Sequence, residues 1–109
     1  MNNEVKKKID NYVQSHEVCL FMKGTPEGPQ CGFSSRASQL LISCGKPFSF
    51  VDILTNPEIR TTLPSVSDWP TFPQLFINGE LIGGSDIMNE MFDSGDLQKA
   101  INQVEIPES

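Results

Sequence analysis

The sequence predicts an α/β domain: a four-stranded mixed sheet flanked by helices on both faces. Three observations carry that prediction. Apolar residues recur at helical spacing in several stretches, separated by short apolar runs of strand length. The strand–helix–strand order over residues 18–53 implies a parallel crossover, right-handed like nearly all such units. An Asn78-Gly79 pair between two later apolar runs implies a hairpin, because both residues of a type I′ turn need positive φ.

The elements follow in order. Val5, Ile9, Tyr12 and Val13 repeat at helical spacing and predict an amphipathic helix over Asn3–Ser15, with Lys6 to Lys8 on its solvated face. "VCLFM", Val18 to Met22, is a strand. "KGTPEGPQ" is an irregular loop, since two Pro and two Gly oppose regular structure. Phe33, Ala37, Leu40, Leu41 and Cys44 predict a second helix, closed by Gly45 and Pro47. "FSFVDI", Phe48 to Ile53, is the second strand. Asn56 caps a short helix with Pro57 at its first position. "QLFI" and "ELIG" flank the Asn-Gly turn. Ser85 or Asp86 caps a helix bearing Ile87, Met91 and Phe92, which Gly95 ends, and Asp96 caps a last helix with Leu97 and Ile101. This layout has the shape of a thioredoxin-like fold.

The chain has 109 residues, which predicts one domain over residues 1–104 and a loose tail over 105–109. Hydrophobic residues make up 38% and charged residues 20%, enough for a core without disulfide staples. A net charge of −6 argues against nucleic acid, which needs a basic footprint. No apolar run reaches the length of a membrane span, and the first residues lack the pattern of a signal or transit peptide. Three cysteines are too few for a disulfide scaffold, so the expected setting is a reducing compartment, the cytoplasm.

Those three cysteines occupy different settings. Cys31 stands where a helix begins, and unpaired N–H groups there favour a thiolate; Lys23, at the end of the preceding strand, adds a positive charge. Three residues on, where a Cys-x-x-Cys partner would stand, the chain has Ser34. Cys19 lies within an apolar strand and reads as a buried, inert thiol. Cys44 is 13 residues along the helix, roughly 20 Å away at 1.5 Å per residue, far beyond the about 7 Å a disulfide tolerates. Cys19 sits at least three residues back in its strand, roughly 10 Å from its end. Thiol chemistry at Cys31 therefore requires a second thiol from outside the chain. The single histidine, His16, reads as a surface residue, and no zinc or ferredoxin cysteine spacing is present.

A second constellation lies later in the chain. "WPTFPQ", Trp69 to Gln74, turns into the third strand, and a cis bond before Pro73 would leave the Phe72 backbone free to pair with an extended peptide. Core or loop packing explains Trp69 and Phe72 as well. "GGSD", Gly83 to Asp86, brings a glycine-rich turn to a helix start, where N–H groups bind carboxylates and Asp86 suits an ammonium group; simple capping explains the same residues.

Together, "KGTPEGPQCGFS", "DILTNPEIR" and "WPTFPQLFINGELIGGSD" resemble the monothiol glutaredoxins of the CGFS type, over roughly Val5 to Ile101. The resemblance implies a glutathione site. In it Lys23 and Arg60 would face the glycine carboxylate. Phe72 and Pro73 would pair with the tripeptide backbone, and Gly84, Ser85 and Asp86 would hold the γ-glutamyl end. Phe33 would line the site and Cys31 would meet the glutathione sulfur. It also implies a [2Fe–2S] cluster shared between two subunits, with Cys31 as each chain's metal ligand and one glutathione per chain. The implied states are a cluster-bound homodimer and an apo monomer, and the implied partners are BolA-like proteins and Fe–S apoproteins. Many relatives carry a further cysteine in the glycine-rich turn, where this chain has Ser85.

Two functions follow. One is a carrier that stores or delivers the cluster. The other is a glutathione-dependent oxidoreductase acting on protein–glutathione mixed disulfides, which needs one cysteine with glutathione as the second thiol. The lone Cys31 and the resemblance favour the carrier.

Overall fold

The structure is a computed structural model that describes residues 3–104; the tail expected over residues 105–109 lies outside the described residues. Among the described residues, five helices and six strands follow in order: α1 Asn3–Ser15, β1 Val18–Met22, β2 Gly24–Thr25, β3 Gly28–Pro29, α2 Gly32–Ser43, β4 Ser49–Asp52, α3 Pro57–Ser67, β5 Gln74–Ile77, β6 Glu80–Gly83, α4 Ser85–Ser94 and α5 Asp96–Gln103. The main sheet has the order β4-β1-β5-β6, with β1 parallel to β4 and the other pairs antiparallel.

Strand β1 is apolar at every position because both its faces are covered, and all five residues are buried. Val18, Leu20 and Met22 point to α2, α4 and α5, where they meet Ala37, Leu40, Leu41, Met88, Leu97 and Ile101. Cys19 and Phe21 point the other way, to Val5, Ile9 and Val13 of α1 and Ile59 and Leu63 of α3. Phe21 is the hub of that second layer, in edge-to-face contact with Phe76 at 5.6 Å and Tyr12 at 6.3 Å. Removing its ring would cost about 3–5 kcal/mol, the usual range for a buried aromatic. Among the described residues, no helix is long and apolar enough to cross a membrane.

The structure corrects several boundaries. "KGTPEGPQ" is not wholly irregular: Gly24–Thr25 pairs with Gly28–Pro29 in a miniature antiparallel ladder. Gly24 permits this because its φ is +88°, and an added Cβ would lie 2.5 Å from the Gly28 carbonyl oxygen. The strand expected over Phe48–Ile53 is trimmed to Ser49–Asp52, where β1 offers a pairing partner. Helix α3 is not short; it continues through Pro64 to Ser67. Asp68 then adopts φ +55°, and the N–H groups of Asp68 and Trp69 both donate to the Pro64 carbonyl. The N-caps of α4 and α5 are Gly84 and Gly95, with Ser85 and Asp96 already inside the helices. Met88 is the buried apolar anchor of α4, whereas Ile87 and Phe92 are exposed. The hairpin matches expectation, with Asn78 at φ +52° and Gly79 at φ +80°.

Candidate functional site: a thiol groove between two helix starts

Cys31 is the N-cap of α2, in an extended conformation that aims its side chain across the first turn. As a thiol it makes no cap hydrogen bond. The N–H groups of Ser34 and Phe33, which no helix carbonyl takes up, face the sulfur and favour its ionised form. The Ser34 N–H has the largest effect. Partial burial opposes it, and the Phe33 N–H, the Lys23 ammonium and the Ser34 hydroxyl add to it, so the pKa lies below the ordinary thiol value. Cys31 is partly exposed, while Cys19 and Cys44 are buried, and all three thiols are free. Burial pushes Cys19 up to about 12 and raises Cys44 as well. The structure thus separates one partly exposed thiol with a lowered pKa from two buried thiols with raised ones.

Ser34 is fully buried, and its hydroxyl accepts the backbone N–H of Lys23 at 3.0 Å. Asp52 secures the next residue from the other side: its Oδ1 accepts the N–H groups of Gly24 and Leu54, both at 2.9 Å. Lys23 is therefore held between the start of α2 and the end of β4. It stands beside Cys31 because of those contacts.

A groove of about 750 Å³ opens at Cys31. It collects every residue singled out from sequence: Lys23, Cys31, Phe33, Arg60, Phe72, Pro73, Gly84, Ser85 and Asp86. Phe33, expected on the apolar face of its helix, is 63% exposed and forms part of the rim, since the first turn of α2 projects past the core. The bond between Phe72 and Pro73 is cis. No described residue hydrogen-bonds to the Phe72 backbone, which leaves its N–H and C=O available for pairing. Arg60 comes from α3 on one face of the sheet and Asp86 from α4 on the other, so the groove spans both helix layers. Neither Lys23 nor Arg60 forms an ion pair with a described residue. Among the described residues no side chain caps the start of α4, so its first N–H groups remain open beside Ser85.

Sequence reasoning missed Pro64 and Ile87, which line the groove together with Trp69, Pro70 and Thr71 of the "WPTFPQ" segment. Trp69 lies against Gly84, where an added Cβ would sit 3.5 Å from Nε1 and 3.2 Å from the Pro73 carbonyl. Proline inside a helix and an outward-facing Ile87 carry no local signal, since α3 and α4 meet the groove only in the folded chain.

An accessible thiol at a helix start, facing a cis-proline loop on this sheet, defines a thioredoxin-like thiol protein. The glutaredoxin family profile matches residues 18–82, and the chain belongs to that family. It is 65% identical over 79 residues to a probable monothiol glutaredoxin, GrlA, of Legionella pneumophila, covering 72% of this chain and 89% of that one. It is 50% identical over 97 residues to Glutaredoxin 4 of Escherichia coli strain K12, covering 89% and 84%. Among solved structures, reduced apo GrxS14 of poplar superposes with a TM-score of 0.78 at 49% identity, covering 91% of each chain. The holo form of poplar glutaredoxin C1 gives 0.82 at 25% identity, covering 92% and 88%.

Proposed function

We propose that this chain is a monothiol glutaredoxin that binds glutathione in the groove and, as a dimer, carries a [2Fe–2S] cluster as cargo to Fe–S apoproteins. The observation that carries the reading is a single accessible, thiolate-favouring cysteine with buried Ser34 in the place of a second thiol.

The groove suits glutathione chemically. Two cations without carboxylate partners among the described residues, Lys23 and Arg60, match the glycine carboxylate. The free Phe72 backbone matches the cysteinyl peptide units, and the open start of α4 with Asp86 matches the γ-glutamyl zwitterion. The tripeptide then presents its sulfur beside Cys31. Among the described residues no three His, Cys, Asp or Glu side chains gather to hold a metal ion. A cluster needs four ligands, so Cys31 from each of two chains and a sulfur from each of two glutathiones would complete the set. A holo form exists for the related glutaredoxin C1. BolA-like proteins and a cytoplasmic setting belong to the same proposal.

Anaerobic reconstitution with iron, sulfide and glutathione tests it. The expected product is a coloured dimer by absorbance and size exclusion, lost in Cys31→Ser. A colourless monomer from fully reduced protein sinks the carrier reading.

The lowered pKa of Cys31 also favours a second reading, removal of glutathione from protein mixed disulfides. The Cys31 thiolate attacks the glutathione sulfur and the protein thiolate leaves. A second glutathione thiolate then attacks the Cys31 mixed disulfide, releasing glutathione disulfide and restoring the Cys31 thiolate. Turnover of a glutathionylated peptide measures it directly, and negligible turnover by freshly reduced protein removes it as the main role.

A further inference from the structure

Gln74 opens β5, immediately after the groove loop, and is completely buried. Its Nε2 donates to the carbonyl of Trp69 at 2.9 Å and to that of Thr71 at 3.3 Å. Carbonyl oxygens only accept, so the NH₂ end of the amide must be the end that faces them. Its Oε1 has no hydrogen-bond partner among the described residues. A buried amide half-matched in this way is costlier than a hydrocarbon of equal size, so what Gln74 contributes here is its pair of donors.

Both accepting carbonyls belong to the stretch from Trp69 to Pro73, which forms one wall of the groove. That wall has few other anchors. Trp69 donates its N–H to Pro64 at 3.2 Å, and Pro70 and Pro73 have no N–H to donate. Among the described residues, Gln74 supplies the only side-chain hydrogen bonds to this wall. We propose that Gln74 is the positioning residue of the groove. Its two donors hold the Trp69 and Thr71 carbonyls inward, so that the Phe72 backbone faces the ligand and the Trp69 ring lies against Gly84. The proposal deepens the glutathione reading given above and rests on it for the identity of the ligand.

Trp69 is the only tryptophan in the chain, so its fluorescence reports on this wall alone. In Gln74→Met, which keeps the length and removes the donors, glutathione affinity by calorimetry falls about tenfold. Acrylamide quenching of Trp69 rises, while the Cys31 thiol titration stays at the parent value because its ionising contacts lie on α2 and at Lys23, just after β1. In Gln74→Glu, a protonated carboxyl can donate one hydrogen bond and a carboxylate none. Its affinity relative to the parent therefore recovers as pH is lowered from about 7.5 to about 5, through a carboxyl pKa raised by burial. A loss of packing alone would not follow pH. Parent-like affinity and parent-like quenching in Gln74→Met overturn the proposal. If that variant does not fold, a pH-independent affinity ratio in Gln74→Glu overturns it instead. If the parent binds no glutathione, the glutathione reading fails while Trp69 quenching still decides whether Gln74 holds the wall.

Discussion

The backbone N–H of Lys23 donates to the buried Ser34 hydroxyl at 3.0 Å, tying the end of β1 to the first turn of α2. This contact helps keep a cation beside Cys31, and Ser34 fills the position where a second thiol would close a local disulfide. Ser34→Ala should leave the Lys23 N–H without its partner. A loss of about 1–3 kcal/mol in denaturant unfolding is expected, with a rise in the Cys31 pKa. Ser34→Cys should place a second thiol within one turn of Cys31. Free-thiol titration after mild oxidation should show two thiols lost, disulfide reductase activity should rise, and reconstituted cluster should become sensitive to oxidation. Parent behaviour in all three assays would mean that position 34 does not set the single-thiol character.

Lys23 and Arg60 should separate binding from ionisation. Both line the groove, but only Lys23 acts on the Cys31 thiolate. Lys23→Ala should weaken glutathione binding and raise the Cys31 pKa together. Arg60→Ala should weaken binding about five- to tenfold, as loss of a charged partner does, and leave the thiol titration alone. Both losses should shrink at high salt, because the site is open to screening.

The three thiols predict an alkylation order. Reaction with iodoacetamide in the native state should modify Cys31 alone, with a midpoint below the ordinary thiol value of about 8.5. Cys19, pushed up to about 12, and Cys44 should react only after unfolding. Stability carries the matching signs. Cys31 has a depressed folded pKa, so its contribution is present above the unfolded value and is lost as pH falls through the folded one. Cys19 and Cys44 have raised folded pKa values. Their contribution is present below about pH 8.5 and is lost as pH rises, with a slope of about 1.4 kcal/mol per pH unit for each thiol still protonated in the fold. Above about pH 8.5 Cys31 is ionised in both states and adds no slope, so the raised thiols should make urea midpoints decline there. Replacing Cys19 with alanine should reduce that slope.

Gly84 tests the meeting of the two groove segments. A methyl group there would approach the Pro73 carbonyl to 3.2 Å and Trp69 Nε1 to 3.5 Å. Gly84→Ala should push the loop outward, shift the emission of the single tryptophan and lower glutathione affinity about tenfold. An unchanged emission spectrum together with unchanged affinity would show that the wall has room for the methyl.

Much of the fold was legible because its signals are local. The alternating faces of β1 were not visible as alternation, since both are buried, but the run "VCLFM" has the length and composition of a central strand. The Asn78-Gly79 turn and the Pro57 helix start rest on backbone preferences that two residues express alone. The caps of α4 and α5 lie one or two residues before the expected Ser85 or Asp86 and Asp96, because glycine at a cap costs only a few tenths of a kcal/mol relative to a serine or an aspartate. The β2–β3 ladder was missed because composition marks a loop and says nothing of which of its carbonyls meet.

The candidate site divides along the same line. Cys31 at a helix start, Ser34 in the second-thiol position and the "WPTFPQ" and "GGSD" segments can be read from residue order, since each depends on spacing within a few residues. Their convergence around one groove depends on β1 and β5 lying side by side, with α3 and α4 on opposite faces of the sheet. No local pattern encodes that. Residue order therefore specified one cysteine at a helix start, because helix-start chemistry is local. Long-range packing specified its surroundings: Ser34 beneath Lys23, Asp52 behind Gly24, and Gln74 holding the wall that carries Trp69 and Phe72. Such contacts join residues distant in sequence or buried under a turn, and their geometry exists only once the sheet has brought the strand ends together.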